Sequence, residues 1–204
     1  MGQLREAGIQ VYLVTGNHDA ASTIGKHLKP PDNVRVLDNT EPESIDLPEL
    51  GVVIHGQSYQ QREVREDLAA RYPIGNEQVF NIGILHTALT GRTDHESYAP
   101  TSLEVLVSKG YEYWALGHVH QREIVSRDPW IVFSGAIQGR HIREQGPKGC
   151  TLVRVEQGQV SEVTHCDLDV LRWQVCELDL KDCTCEEHVW AAVRSGLVAA
   201  IDSG

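Results

Sequence analysis

No run of apolar residues in the 204-residue sequence approaches the roughly 18 that a membrane span requires, which sets membrane-spanning classes aside. The opening residues lack the charged-then-apolar pattern of a secretory signal, so the expected compartment is the cytoplasm. Cysteines are few. Cys150, Cys166, Cys176, Cys183 and Cys185 are odd in number and have no framework spacing, and they read as buried thiols in a reducing compartment. Positive charge is also scarce: a formal net charge of -11 argues against a protein that coats nucleic acid through a bulk positive field. A nucleic-acid substrate stays open, because divalent cations in a site supply local positive charge. There is no internal repeat and no low-complexity tract. With 41% hydrophobic and 23% charged residues, the composition is globular, with room for one core and a small extra unit.

Apolar runs predict strands at Gln10 to Val14, Val34 to Leu37, Gly51 to His55, Ile82 to His86, Trp114 to Gly117 and Ile131 to Ser134. The chain begins inside a helix that Gly8 stops, and a short polar helix is expected near Ala20 to His27. Gln60 to Tyr72 has helical spacing, with Val64, Leu68 and Tyr72 on one face. Thr101 with Glu104 forms a capping box for a helix through Ser108. Asp38 to Glu49 and Thr90 to Pro100 are expected loops. Thr151 to Val155 and Val160 to Cys166 read as a hairpin. After Asp169 the texture changes: Leu171 to Leu180 alternates like a strand, and Thr184 with Glu187 caps a helix through about Ala200. The expected division is an α/β core over residues 1–168 and the beginning of a small C-terminal domain over 169–204.

Three histidine-bearing segments follow predicted strands: Gly16-Asn17-His18-Asp19, Gly83-Ile84-Leu85-His86-Thr87 and Gly117-His118-Val119-His120. Carboxyl ends of strands are where α/β sheets place chemistry. On extended backbone His118 and His120 point to the same face and can reach one metal centre or two adjacent ones. Asn17 adds a neutral carbonyl oxygen and His86 a third imidazole. Such mixed oxygen and nitrogen donors suit manganese, iron or zinc better than magnesium or calcium. His18 directly follows a ligand and points elsewhere, so it is the candidate general acid, with Asp19 to orient or charge-stabilise it. Arg140, His141, Arg143 and Lys148 form a short basic segment, read either as phosphate contacts or as a solvated turn, with Glu144 as a counterweight. His55 is taken as a satisfied buried histidine, and Cys183, Cys185 and His188 as structural.

These three segments resemble the last three motifs of the calcineurin-like metallophosphoesterases. Trp114 to Arg122, Ser134-Gly135, Gln138 to Glu144 and Gly149-Cys150 further resemble the SbcD and YhaO branch of DNA repair exonucleases, and the likeness runs from about Leu4 to Asp167. It implies a four-layer αββα sandwich and a C-terminal capping domain. It also implies a dinuclear centre of two divalent ions, manganese first and iron or zinc as alternatives, with a bridging hydroxide that attacks a phosphodiester. In that pattern Asn17, His86 and His118 bind one ion, His120 binds the other, and His18 is the transition-state acid. The implied substrate is a DNA end and the implied partner an ATPase of the SbcC type; a homodimer is compatible. Two motifs of the family, Asp-x-His and Gly-Asp, do not occur in the 16 residues before Asn17. Asp94-His95-Glu96 matches a loop of the branch rather than a ligand motif. The expectation is therefore a sandwich lacking its first strands, from a fragment or a gene model with a late start codon, inactive or nearly so in isolation. Two other readings are a phosphoesterase acting on a non-DNA substrate and a truncated, non-catalytic docking polypeptide.

Overall fold

The computed structural model describes residues 2–21, 29–90 and 99–202. Most of the expected helix to His27 and most of the loop from Thr90 to Pro100, including Asp94-His95-Glu96, lie outside the described residues.

The elements in order are α1 (Gly2–Glu6), β1 (Val11–Leu13), α2 (Asn17–Ala21), β2 (Val34–Val36), β3 (Glu43–Leu47), β4 (Val52–Gln57), β5 (Phe80–His86), α3 (Leu103–Ser108), β6 (Tyr113–Gly117), β7 (Glu123–Arg127), β8 (Trp130–Phe133), β9 (Gly149–Glu156), β10 (Gln159–Asp167) and α4 (Glu186–Asp202). Six strands form one sheet in the order β3-β4-β5-β6-β8-β7. β4, β5, β6 and β8 are mutually parallel, and β3 and β7 run antiparallel along the two edges. The central strands are near-continuous apolar runs because both faces of a parallel sheet are covered. The pleat divides them. Leu85, Trp114, Leu116, Ile131 and Phe133 face one core together with Leu68, Ala69, Tyr72 and Leu106. Phe80, Tyr113 and Val132 face the other way, toward Val153 and Val160 of the β9–β10 hairpin. Ile54 meets Leu37 and, through Tyr12 and Val14, the parallel pair β1–β2. The protein is thus mixed α/β around a central six-stranded sheet, consistent with a metallophosphoesterase sandwich.

Several local expectations are corrected. Residues 43–47 form the edge strand β3, since Ile45 turns inward while Ser44 and Asp46 face water. Strand β7 has no counterpart among the predicted strands. Residues 60–72 are not an α-helix; they hold a single 3₁₀ turn over Ala69–Arg71. The spacing of Leu68 and Tyr72 reflects burial, but the backbone bonds elsewhere: Val64 O accepts from Ala99 N at 2.6 Å, and Lys109 Nζ donates to Ala70 O and Tyr72 O at 2.8 Å each. Helix α3 is capped by Ser102, whose hydroxyl accepts from Val105 N at 3.3 Å. Thr101 instead donates to Asp67 Oδ2 at 3.0 Å. Leu171 to Leu180 forms no strand; Gln138 takes the polar groups of Val170 and Leu171, and one bridge joins Trp173 to Gln145. The cysteines are unpaired thiols, as expected, but Cys150, Cys176 and Cys185 are exposed rather than buried. Among the described residues, no helix is long and apolar enough to cross a membrane.

Candidate metal centre

The carboxyl ends of β5 and β6 meet the loop after β1. Thr15 N donates to Ser58 Oγ at 3.1 Å and Tyr59 N to Thr15 O at 2.9 Å, which fixes that loop against the end of β4. Asp19 Oδ2 accepts from Gly16 N at 3.1 Å, closing the first turn of α2, which carries Asn17. Gly16 and Gly117 have a shared purpose. A Cβ on Gly16 would lie 2.5 Å from His86 Nδ1, and one on Gly117 would lie 3.2 Å from the same atom. The His86 ring therefore occupies space that a side chain at either motif glycine would fill. The edge of Tyr59 closes another side, with ring centroids 5.2 Å apart.

Three donor atoms converge here. His86 Nε2 is 3.0 Å from Asn17 Oδ1 and 3.2 Å from His118 Nδ1. A single N–H can serve one of these contacts, whereas one cation can serve all three lone pairs. The spacings suit neighbouring ligands of one ion, since bonds of roughly 2.1 Å put adjacent ligands about 3 Å apart. Burial, then the nearby His118, pushes the His86 imidazole down to about 4, so it stays neutral and able to coordinate. His118 adopts φ of +110°, a conformation uncommon for a residue with a side chain. Strain of this kind is concentrated at functional sites. The residues present fit a divalent cation. Among the described residues, no three His, Cys, Asp or Glu side chains gather as a metal cage; the convergent set is two histidines and a buried asparagine.

The remaining predicted residues form an outer ring. His18 and Asp19 are exposed beside Asn17. His120 is exposed and turned toward Glu144, with Nδ1 2.5 Å from Oε1. Glu144 Oε2 accepts from Arg140 N at 2.6 Å, and His141 Nε2 lies 3.6 Å from Oε1. The Arg140 amide holds the Glu144 carboxyl below its usual range against the opposing effect of burial. His141 Nδ1 accepts from Arg143 N at 3.2 Å, and Arg140, His141 and Arg143 are all exposed. The structure thus brings Asn17, His86 and His118 together and sets His120 beside the basic segment. The contact of Tyr59 with His86 and that of Glu144 with His120 were missed by sequence reasoning, which read Glu144 only as a counterweight to the basic segment. Glu144 stands inside the stretch that carries the family likeness; Tyr59 stands two residues past the end of β4, and its spacing gives no signal.

No family model matches the chain. The chain is 38% identical over 184 residues to the uncharacterized metallophosphoesterase YhaO of Bacillus subtilis (strain 168), covering 88% of this chain and 45% of that protein. It is 28% identical over 149 residues to the DNA double-strand break repair protein Mre11 of Methanocaldococcus jannaschii, covering 67% and 38%. To the Mre11 of Sulfurisphaera tokodaii it is 23% identical over 193 residues, covering 87% and 48%. The chain spans less than half the length of each of these relatives. With the strand-end motifs and the six-stranded sheet, these likenesses identify the chain: it belongs to the calcineurin-like metallophosphoesterases, SbcD/YhaO type.

Proposed function

We propose that this chain serves metal-dependent hydrolysis of phosphodiesters in DNA, as part of a DNA repair exonuclease. The observation that carries the reading is the meeting of Asn17 Oδ1, His86 Nε2 and His118 Nδ1 within 3.0 to 3.2 Å. DNA enters through the two relatives named as double-strand break repair proteins. Asn17, His86 and His118 hold one divalent cation, manganese first and iron or zinc after it, and His120 contributes to a second. When bound, such ions polarise the phosphoryl group and make water nucleophilic at neutral pH.

The chain's own groups do the rest. His18, exposed beside Asn17, gives a proton to the leaving oxygen and regains it from solvent. The Asp19 carboxylate keeps the turn closed through Gly16 N and adds negative charge next to His18. Arg140, His141 and Arg143 face solvent beside His120, where strand phosphates approach. An ATPase partner of the SbcC type and a capping role for residues 169–204 belong to the same reading.

Calorimetric titration with Mn²⁺ tests the binding half. One tight ion per chain is expected, lost in His86→Ala and His118→Ala and kept in His120→Ala. Retention of that ion in His86→Ala would sink the assignment. For the substrate half, linear duplex DNA is compared with a p-nitrophenyl phosphodiester in long incubations, because turnover by a chain carrying one converged donor set is expected to be slow. Preference for DNA, abolished in His18→Ala with Mn²⁺ affinity intact, is the expected result. Preference for the small diester would move the reading to a non-DNA phosphoesterase, which the net charge of -11 would suit.

A further inference from the structure

A cavity of about 630 Å³ opens beside the candidate centre, with Gln57 and Ser58 from the end of β4 on one side and the irregular 60–71 segment on the other. Ligand sites have volumes of this order. Its position is set by contacts already described. Ser58 holds Thr15, and Tyr59, between the two sides in sequence, bonds Thr15 O and puts its ring against His86. The cavity therefore flanks the centre, with Tyr59 between them.

Two independent features define what it would take. Arg62, Arg65 and Arg71 line it against two carboxylates, Glu63 and Glu66, a local positive excess in a chain of net charge -11. Arg65 pairs with Glu63 at 3.4 Å with both side chains exposed, a pairing weak enough to exchange for another anion. Gln57 is only 3% exposed, yet its Oε1 is buried and meets no hydrogen-bond donor. A buried carbonyl oxygen in that state is unfavourable, so the carboxamide gains by turning into the cavity that Gln57 lines, where a donor can reach it. Guanidinium groups suit phosphate oxygens, and a carboxamide oxygen suits an N–H of a base edge. A ligand carrying both is a nucleotide.

We propose that this cavity binds one nucleotide unit of a nucleic-acid strand, with phosphates on Arg62, Arg65 and Arg71 and a base N–H on Gln57 Oε1. The inference rests on the DNA reading above and extends it by assigning where the strand is held away from the scissile bond.

The test is fluorescence anisotropy with a labelled single strand of about ten nucleotides, in EDTA so that hydrolysis plays no part. Wild-type binding is expected to weaken with salt. The Arg62→Ala/Arg71→Ala double variant is expected to bind at least tenfold more weakly, its log K against log salt slope shallower by about 0.7 for each phosphate left unneutralised. Gln57→Leu should lower affinity and leave the slope alone, with a thermal melt to check the fold. If that variant does not fold, the arginine variant decides. Wild-type affinity and slope in the arginine variant overturn the subsite and leave the DNA reading standing. Absence of strand binding by the wild-type protein in EDTA also overturns the subsite, while the DNA reading, whose positive charge comes from bound cations, is decided separately by the hydrolysis comparison above.

Discussion

His55 is stacked on Tyr111 at 4.5 Å, with Nδ1 2.8 Å from Ser44 Oγ and Nε2 3.3 Å from Asn81 Oδ1. Burial pulls its imidazole below the usual value, with the Asn81 contact opposing. The folded state therefore favours the neutral ring. Its contribution to stability is full above about pH 6.5, the usual histidine value, and fades as the pH falls from there through the folded value. Between pH 8 and pH 5 the urea midpoint should fall further for the wild type than for His55→Gln; equal falls would contradict this assignment. Reading His55 as a satisfied buried histidine was possible from its place at the end of an apolar run. The motif glycines were less transparent. Gly16 and Gly117 stand in the sequence as letters of two motifs, and only the fold shows the His86 ring lying against both. Glu144 reads in the sequence as a counter-charge to a basic segment, and in the fold it is also the carboxylate that His120 meets.

Strands β5 and β6 depend on a paired small and large residue. A Cβ on Gly83 would collide with the six-membered ring of Trp114, which is fully buried with Nε1 donating to Leu106 O at 3.2 Å. Gly83→Ala should lower stability by about 1–3 kcal/mol through overpacking, seen as a lower urea midpoint with an unchanged slope. An unmoved midpoint would mean that the indole shifts without cost. Central strands were legible because burial on both faces writes continuous apolar runs, as in Val52 to Ile54 and Trp130 to Phe133. Edge strands were not. β3 follows Pro42 in acidic sequence, and β7 carries charge at both ends, so neither shows a run. The 60–72 segment shows why spacing alone misleads: periodic burial fixes which side chains go inward, while Lys109 and Asp67 decide where the backbone groups bond.

The proposed metal ligands come from widely separated places in the chain. Asn17 and His86 are 69 residues apart, and His86 and His118 are 32 apart. Each motif was legible by itself, because each sits at the end of an apolar run. Their convergence depends on the parallel register of β5 with β6, which no local pattern specifies. An unfolded chain has no equivalent cluster, so a bound cation favours the folded state. At 100 times its Kd, Mn²⁺ should add about 2.7 kcal/mol, which raises the melting midpoint by roughly 5–11 °C in a chain of this size. His86→Ala should show no such rise; a rise of the same size would place the ion elsewhere. Seen this way, the ring of His86 between two glycine backbones is a clasp. It fastens the loop after β1 to the middle of the sheet, and an ion closing it would tie three distant stretches of chain at a single point.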